Sequence, residues 1–195
     1  MNDHIHKPVL ADEVLHYLSP KPSQAYLDLT AGYGGHAGLV WQAITPLGKM
    51  TLVDRDQNAT TALTERFGQQ PGITIMRQDF ASAAQSLSRS GEQFDCILAD
   101  IGVSSPHLDN PDRGFSFMND GPLDMRMDQT RGQSAAEWVN SAGEDEITWV
   151  LKEFGEERFA KRMARAIITE RQKQPFTRTK HLADVIKEAN PAWEK

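Results

Sequence analysis

Up to Asp100, apolar residues gather in short runs, each bounded by turn residues. Four of these runs read as buried strands: Ala25-Tyr26-Leu27, Lys49 to Asp54, Ile73 to Met76, and Phe94 to Asp100. Between them the apolar positions recur at helical spacing. Val14, Leu15 and Leu18 form one such stripe, stopped by Ser19-Pro20, and Leu39, Val40, Ala43 and Ile44 form a second, stopped by Thr45-Pro46. A third helix is predicted from about Gln57 to Phe67 with Gly68 closing it, and a weaker one from Ala83 to Leu87. Strands alternating with helices predict right-handed βαβ crossovers, so the fold class is α/β with a parallel sheet.

After Asp100 the pattern changes. Residues 102–132 are rich in Gly, Pro and Asp and too long for a plain connection, so they are functional or independently packed. Helices then follow without a further strand. Ser134 and Glu137 form a candidate capping box, and Ile147, Val150, Leu151 and Phe154 stand at helical spacing. A longer helix is expected from Glu156 and another from Thr179 to Ala189. Four strands followed only by helices, ending at Pro191-Ala192-Trp193-Glu194-Lys195, read as an interrupted chain.

The stretch Leu27 to Ala37 organises the first half. A strand enters Asp28, passes through a turn containing Gly32, Gly34 and Gly35, and leaves as a helix. Glycines there permit φ > 0 and let a ligand lie against bare backbone, while the helix start offers free N–H groups to an anionic group. Gly32-x-Gly34-x-x-Ala37 fits the dinucleotide fingerprint in its G-x-G-x-x-A form, with Asp54 at the end of the second strand. Two cofactors suit this grammar, NAD and S-adenosylmethionine (SAM). Both use an acid on a ribose diol, and the additional acid before the glycines, Asp28, favours SAM. All four strand ends carry an acid or amide (Asp28, Asp54, Gln78/Asp79, Asp100), and ligands of open α/β sheets bind outside those ends. A single acid in such a place is often only a helix N-cap.

Asp79-Phe80 would suit an adenine, offering a polar group for its amine and a ring for its face, although a core phenylalanine is the commoner role. Asp100 opens the loop Ile101-Gly102-Val103-Ser104-Ser105-Pro106-His107. A carboxylate and backbone carbonyls there can orient an exocyclic amine towards a methyl donor. Asp109, Asp112, Asp120, Asp124 and Asp128 fit no calcium loop and interleave with Arg113, Arg126 and Arg131, so ion pairs and turn caps are expected rather than a metal. The histidines show no metal-ligand spacing.

The net charge of −6 conceals a strong asymmetry. From Arg158 to His181 the cations Arg158, Lys161, Arg162, Arg165, Arg171, Lys173, Arg178 and Lys180 meet one acid, Glu170. On a helix from Glu156, the residues Arg158, Lys161, Arg162 and Arg165 would share one face with no neutralising acid on that face, suited to RNA phosphates. No run approaches the roughly 18 apolar residues of a membrane helix, and residues 1–7 lack the apolar core of a signal peptide. Cys96, the one cysteine, sits in an apolar run and reads as a buried reduced thiol of a cytoplasmic protein.

Several blocks together resemble the MraW-type (RsmH) 16S ribosomal RNA (cytosine-N4)-methyltransferases. They are the stretch Asp100 to Asp109, Arg113-Gly-Phe-Ser-Phe117, Asp120 to Asp128, Ala135-Ala-Glu-Trp138 and Gly155 to Ala160, with Pro8 to Val14 and Gly34-Gly-His36 towards the amino end. The resemblance implies a class I SAM-dependent methyltransferase, with a Rossmann-like core over residues 1–104 and a helical RNA-substrate domain over residues 105–195. It also implies further strands beyond this chain, as the interrupted pattern does. Its substrate would be the exocyclic N4 amine of a cytidine in the decoding centre of the small ribosomal subunit. Gly34, Gly35, His36, Asp54, Phe80 and Asp100 are carried over as SAM-contacting positions, with Asp100 also placing the amine. His107 stands where the family usually carries Gln, at a cofactor-associated position, and imidazole can still donate or accept one hydrogen bond. Two other classes compatible with the residues are an NAD-dependent oxidoreductase and a non-catalytic RNA-binding module.

Overall fold

The computed structural model describes residues 8–190. The readings that fall on residues 1–7 (no leader core) and 191–195 (an interrupted chain) lie outside the described residues. The chain divides into two compact units, with the boundary between Gly102 and Val103.

The first unit is built on a parallel sheet of β1 (Ala25–Asp28), β2 (Lys49–Asp54), β3 (Ile73–Arg77) and β4 (Cys96–Leu98), in the order β3-β2-β1-β4. This is the order of a Rossmann-like half-sheet. Tyr26 pairs with both Met50 and Cys96, so β1 and β4 end level at Asp28 and Leu98, while β2 runs on two residues past Leu52 to Asp54. Side chains alternate between faces along each strand. Tyr26, Met50 and Leu52 meet one apolar layer, with Val40 and Ile44 of α2 (Gly35–Ile44) and Leu63 and Phe67 of α3 (Gln57–Phe67). Leu15 and Leu18 of α1 (Ala11–Leu18) join that layer. Leu27 and Val53 meet the other layer, with Ala83 and Leu87 of α4 (Phe80–Arg89). Helices on both faces explain why the strands read as unbroken apolar runs.

Two boundaries differ from expectation. The weak helix is a full one, because the Asp79 carboxylate accepts the Ser82 N–H at 2.9 Å and starts it at Phe80. The fourth strand is shorter, with Asp100 beyond its end.

The second unit is helical: α5 (Ser105–Asp109), a 3-10 turn at Pro111–Arg113, α6 (Ala135–Ser141), α7 (Glu144–Glu153), α8 (Ala160–Arg171) and α9 (Thr179–Ala189). Val139, Ile147, Ala164, Ile167 and Phe176 form its core, with Leu123 from the aspartate-rich stretch. The expected Ser134–Glu137 capping box is present. Phe154, expected on the inner face of its helix, is instead 74% exposed, stacked edge-on against Trp149. The predicted helix start at Glu156 fails for a local reason. Glu156 takes a left-handed φ of +49°, and the Glu157 carboxylate accepts the Phe159 N–H at 2.7 Å, so α8 begins only at Ala160.

The aspartate-rich stretch is pinned by ionic and backbone bonds. Arg113 is buried and donates to the carbonyls of Arg126 and Met127. Asp124 receives Arg126 through its backbone and its guanidinium, and Asp128 pairs with Arg131. Asp120 accepts Arg178 Nε at 2.6 Å and the Lys180 N–H at 3.2 Å, which caps the first turn of α9. Thr177 accepts the Leu123 N–H at 2.9 Å, and Gly121 accepts that of Thr179 at 3.0 Å. This stretch is a strap over α9.

Gly34 shows how tightly the first turn is set. It has φ +79°, and an added Cβ would lie 2.6 Å from the Phe67 ring and 3.0 Å from Leu63. Gly91 has a similar φ of +75° with nothing within 4 Å. Gly34→Ala is therefore expected to cost about 2–4 kcal/mol, from left-handed strain plus overpacking, and Gly91→Ala about 1–2 kcal/mol, from strain alone. Urea unfolding of the two variants checks the difference; equal losses would mean that Phe67 and Leu63 yield freely.

Candidate functional site

The site residues of the first unit lie where β1, β2 and β4 end. Asp28 closes β1 and is buried. Its Oδ2 accepts the Tyr26 hydroxyl at 2.8 Å and its Oδ1 the Thr30 N–H at 3.2 Å. Burial pushes its carboxyl up to about 6, against the two hydrogen bonds that favour the anion; the nearby charges of Asp54 and Asp100 push the same way as burial. Burial also raises the Tyr26 phenol, and Asp28 adds to that shift. Tyr26 and Asp28 stand two apart on one strand, so both side chains reach the same face.

Asp54, at the end of β2, braces the glycine turn. Its Oδ2 accepts the Gly32 N–H and its Oδ1 the Asp56 N–H, both at 2.8 Å. Each oxygen keeps a further acceptor lobe for a ligand hydroxyl. Val53 accepts the Ala31 N–H at 2.9 Å, and Arg66 of α3 donates to the Gly34 carbonyl at 2.9 Å. Gly35 opens α2, with Gly34 as its N-cap in the left-handed region. The turn is therefore held from β2 below and from α3 at the side.

His36 has 11% of its side chain exposed, with Nε2 3.9 Å from Asp100 Oδ2. Burial lowers its pKa and Asp100 partly opposes this, so the ring is neutral at neutral pH. Its Nδ1 is buried and finds no hydrogen-bond partner among the described residues, and the same holds for Gln78 Oε1 at the end of β3. Buried polar atoms left open in this way are what a polar ligand satisfies. Asp100 is 62% exposed in its side chain, and its backbone N–H donates to Thr30 Oγ1 at 2.7 Å.

Phe80 is the first residue of α4 and 45% exposed, so its ring is presented rather than buried. Asp79 beside it is the helix cap, held below the usual carboxylate range by the Ser82 N–H. Thr30, Asp56 and Arg66 also build the site without being singled out in the sequence. Asp56 had a signal, as an N-cap acid before an apolar stripe. Arg66 had none, because its partner lies across the fold.

The remaining expected residues belong to the second unit. His107 is buried in α5, where Nδ1 meets Ser104 Oγ at 2.8 Å and the ring packs against Phe115. Arg158 lies ahead of α8, not on it, which corrects the expected single basic face. Lys161, Arg162 and Arg165 are on the helix and exposed. Arg165 is paired with Glu144 of α7 at 3.0 Å, a neutralising acid invisible to an i±4 count. Arg171 donates to the Val139 and Ala142 carbonyls at the end of α6, so it is structural. Arg158 and Lys161 have no ion-pair partner among the described residues.

An open parallel sheet in this order, with a glycine turn at its carboxyl edge ringed by Asp28, Asp54, His36 and Asp100, defines a Rossmann-like α/β protein. The chain belongs to the MraW methylase family, whose model matches residues 3–195. It is 48% identical over 192 residues to the ribosomal RNA small subunit methyltransferase H of Thioalkalivibrio sulfidiphilus (strain HL-EbGR7). That alignment takes in 97% of this chain and 61% of the relative, so the chain spans less than two thirds of the relative's length. Two solved structures match in part. A candidate rRNA-methylase from Clostridium thermocellum has 14% identity and a TM-score of 0.36 over 40% of this chain and 45% of its own. A protein-L-isoaspartate O-methyltransferase has 16% identity and a TM-score of 0.33 over 37% and 23%.

The raised pKa of Asp28 has a signed consequence for stability. Below its ordinary 3.8 the carboxyl is protonated folded or unfolded; above about 6 it is ionised in both, at a cost only the fold bears. Stability due to this group is complete below 3.8 and lost as pH rises through about 6. Asp28→Asn removes that dependence. Urea unfolding at pH 4 to 7 is expected to show the parent losing on the order of 3 kcal/mol relative to the variant across the interval. Parallel curves would contradict it.

Proposed function

We propose that the protein containing this chain transfers a methyl group from SAM to the exocyclic N4 amine of a cytidine in 16S ribosomal RNA of the small ribosomal subunit. Residues 1–104 would form the cofactor core and residues 105–195 the RNA-substrate unit. The observation that carries the reading is the meeting of Asp28, Asp54, His36 and Asp100 around one glycine turn, in a chain of the MraW methylase family. The relative's name, which speaks of small-subunit ribosomal RNA, supports the substrate. Among the described residues no helix is long and apolar enough to cross a membrane, and such a substrate implies a cytoplasmic place of action.

The residues suit SAM as follows. Asp54 would accept the ribose diol through its spare acceptor lobes, and Gly34 and Gly35 would present bare backbone. The open Nδ1 of His36 would receive a polar group, and Phe80 would lie against the adenine face. When bound, SAM would supply a sulfonium-borne methyl to the amine nitrogen, with the carbon–sulfur pair leaving on sulfur and the N4 proton passing to water. Asp100, whose side chain is exposed, would accept an N–H of that amine and turn its lone pair towards the methyl. A cytidine within folded RNA would have to be splayed out to reach it. Arg158, Lys161, Arg162 and Arg165 would meet RNA phosphates, with Arg165 exchanging its bond to Glu144.

Calorimetry with SAM and with NAD tests the cofactor. SAM is expected to bind, and Asp54→Ala to weaken it at least about tenfold, the scale of one charge-assisted hydrogen bond. NAD binding tighter than SAM would make the protein an oxidoreductase. Labelled SAM with small subunits tests the transfer; RNA affinity untouched by Asp54→Ala and no label on the RNA would leave a non-catalytic binding module. Replacing both Arg158 and Lys161 by Ala is expected to weaken RNA binding and reduce the slope of log K against log salt by about 1–2. An unchanged slope would place the phosphates elsewhere.

A further inference from the structure

We infer that Thr30 is a positioning residue for Asp100, holding the loop after β4 at the height of the glycine turn. The inference rests on the proposed methyl transfer only for its effect on rate; the tether itself is a property of the folded chain. Beyond β4 the loop has little else to hold it. Residues 99–103 are exposed, and Ile101 and Val103 are 73% and 48% accessible. The β1–β4 ladder ends with the Leu29 N–H donating to the Leu98 carbonyl at 2.9 Å. A regular parallel ladder would continue with the Asp100 N–H on the Leu29 carbonyl. Here that N–H goes to the Thr30 hydroxyl at 2.7 Å, so a side chain supplies the last rung.

The hydroxyl is itself fixed. Thr30 N–H is held by Asp28 Oδ1, and Asp28 is held by the Tyr26 hydroxyl beneath the sheet edge. β-Branching restricts χ1, which limits where Oγ1 can point. The line Tyr26–Asp28–Thr30–Asp100 therefore carries the rigidity of a buried strand out to an exposed carboxylate. That carboxylate comes to 3.9 Å from the His36 ring on α2. A carboxylate that must orient a small amine tolerates little displacement, since about 1 Å costs on the order of 100-fold in rate.

The test compares Thr30→Val, which keeps the shape and removes the acceptor, with Thr30→Ser, which keeps the acceptor. Thermal melting first establishes that both fold. In the ligand-free protein, Thr30→Val is expected to lose about tenfold or more of the hydrogen-exchange protection of the Asp100 amide, and Thr30→Ser to keep it. At saturating SAM, Thr30→Val is expected to lower methyl transfer about 10- to 100-fold, with SAM affinity falling far less, and Thr30→Ser to restore most of the rate. Unchanged Asp100 protection in Thr30→Val, a rate equal to the parent's, or a serine variant as poor as valine would each overturn the inference. If the unsubstituted chain transfers no methyl under these conditions, the proposed activity fails instead. The tether is then decided by the exchange measurement alone: protection lost in valine and kept in serine upholds it, and any other pattern overturns it.

Discussion

A carboxylate with almost no access to water sits at the centre of the first unit. Asp28 bears the cost of burial and is compensated by one phenol and one backbone N–H, so every group around it is placed with little freedom. Its position follows from β1 being the inner strand of the sheet, flanked by β2 and β4. Were β1 at an edge, Asp28 would be hydrated and would organise nothing. Because it lies between them, the turn that follows it departs between two neighbours, β4 ending level with it and β2 reaching two residues further. Asp54 braces the turn from one side and Asp100 faces it from the other.

The second unit solves a different problem. Its helices are short, and short helices are marginal without tertiary packing. Here much of the order comes from a strap of turns fastened by charged groups. Asp120 receives the start of α9, Asp124 receives Arg126, and the buried Arg113 holds carbonyls of the strap itself. Acids and arginines that look like surface decoration in a linear sequence act as fasteners. This use of cations leaves fewer for an external partner, and Arg158 and Lys161 stand out because they have no ion-pair partner among the described residues.

Much of the first unit was legible because its signals are local. β2 and α3 follow the apolar runs to the residue, and the glycine turn announces itself through Gly32, Gly34 and Gly35. The acids at the strand ends were visible too, but their individual roles were not. Asp79 turned out to be a helix cap, whereas Asp54 braces the turn; both are an acid after a strand, and only the sheet distinguishes them. Thr30 was passed over because a hydroxyl in a turn carries no marker until its partner, seventy residues on, is in place. Arg158 and Arg165 were misjudged for related reasons. A left-handed Glu156 delays the helix, and Glu144 comes from the neighbouring helix rather than from an i±4 position.

The strap over α9 also sets an order of events during synthesis. Asp120 and Arg178 lie 58 residues apart, and Leu123 finds its acceptor only at Thr177. Until the start of α9 has left the ribosome, the aspartate-rich stretch has no partner for these bonds and its acids stay solvated. At about 5–20 residues per second, translation leaves that gap open for roughly 3–12 seconds. The four described strands of the first unit have all been made by then. A nascent chain would therefore carry these four strands and an unfastened acidic ribbon at the same time, and the ribbon's charge would help to keep it soluble while it waits.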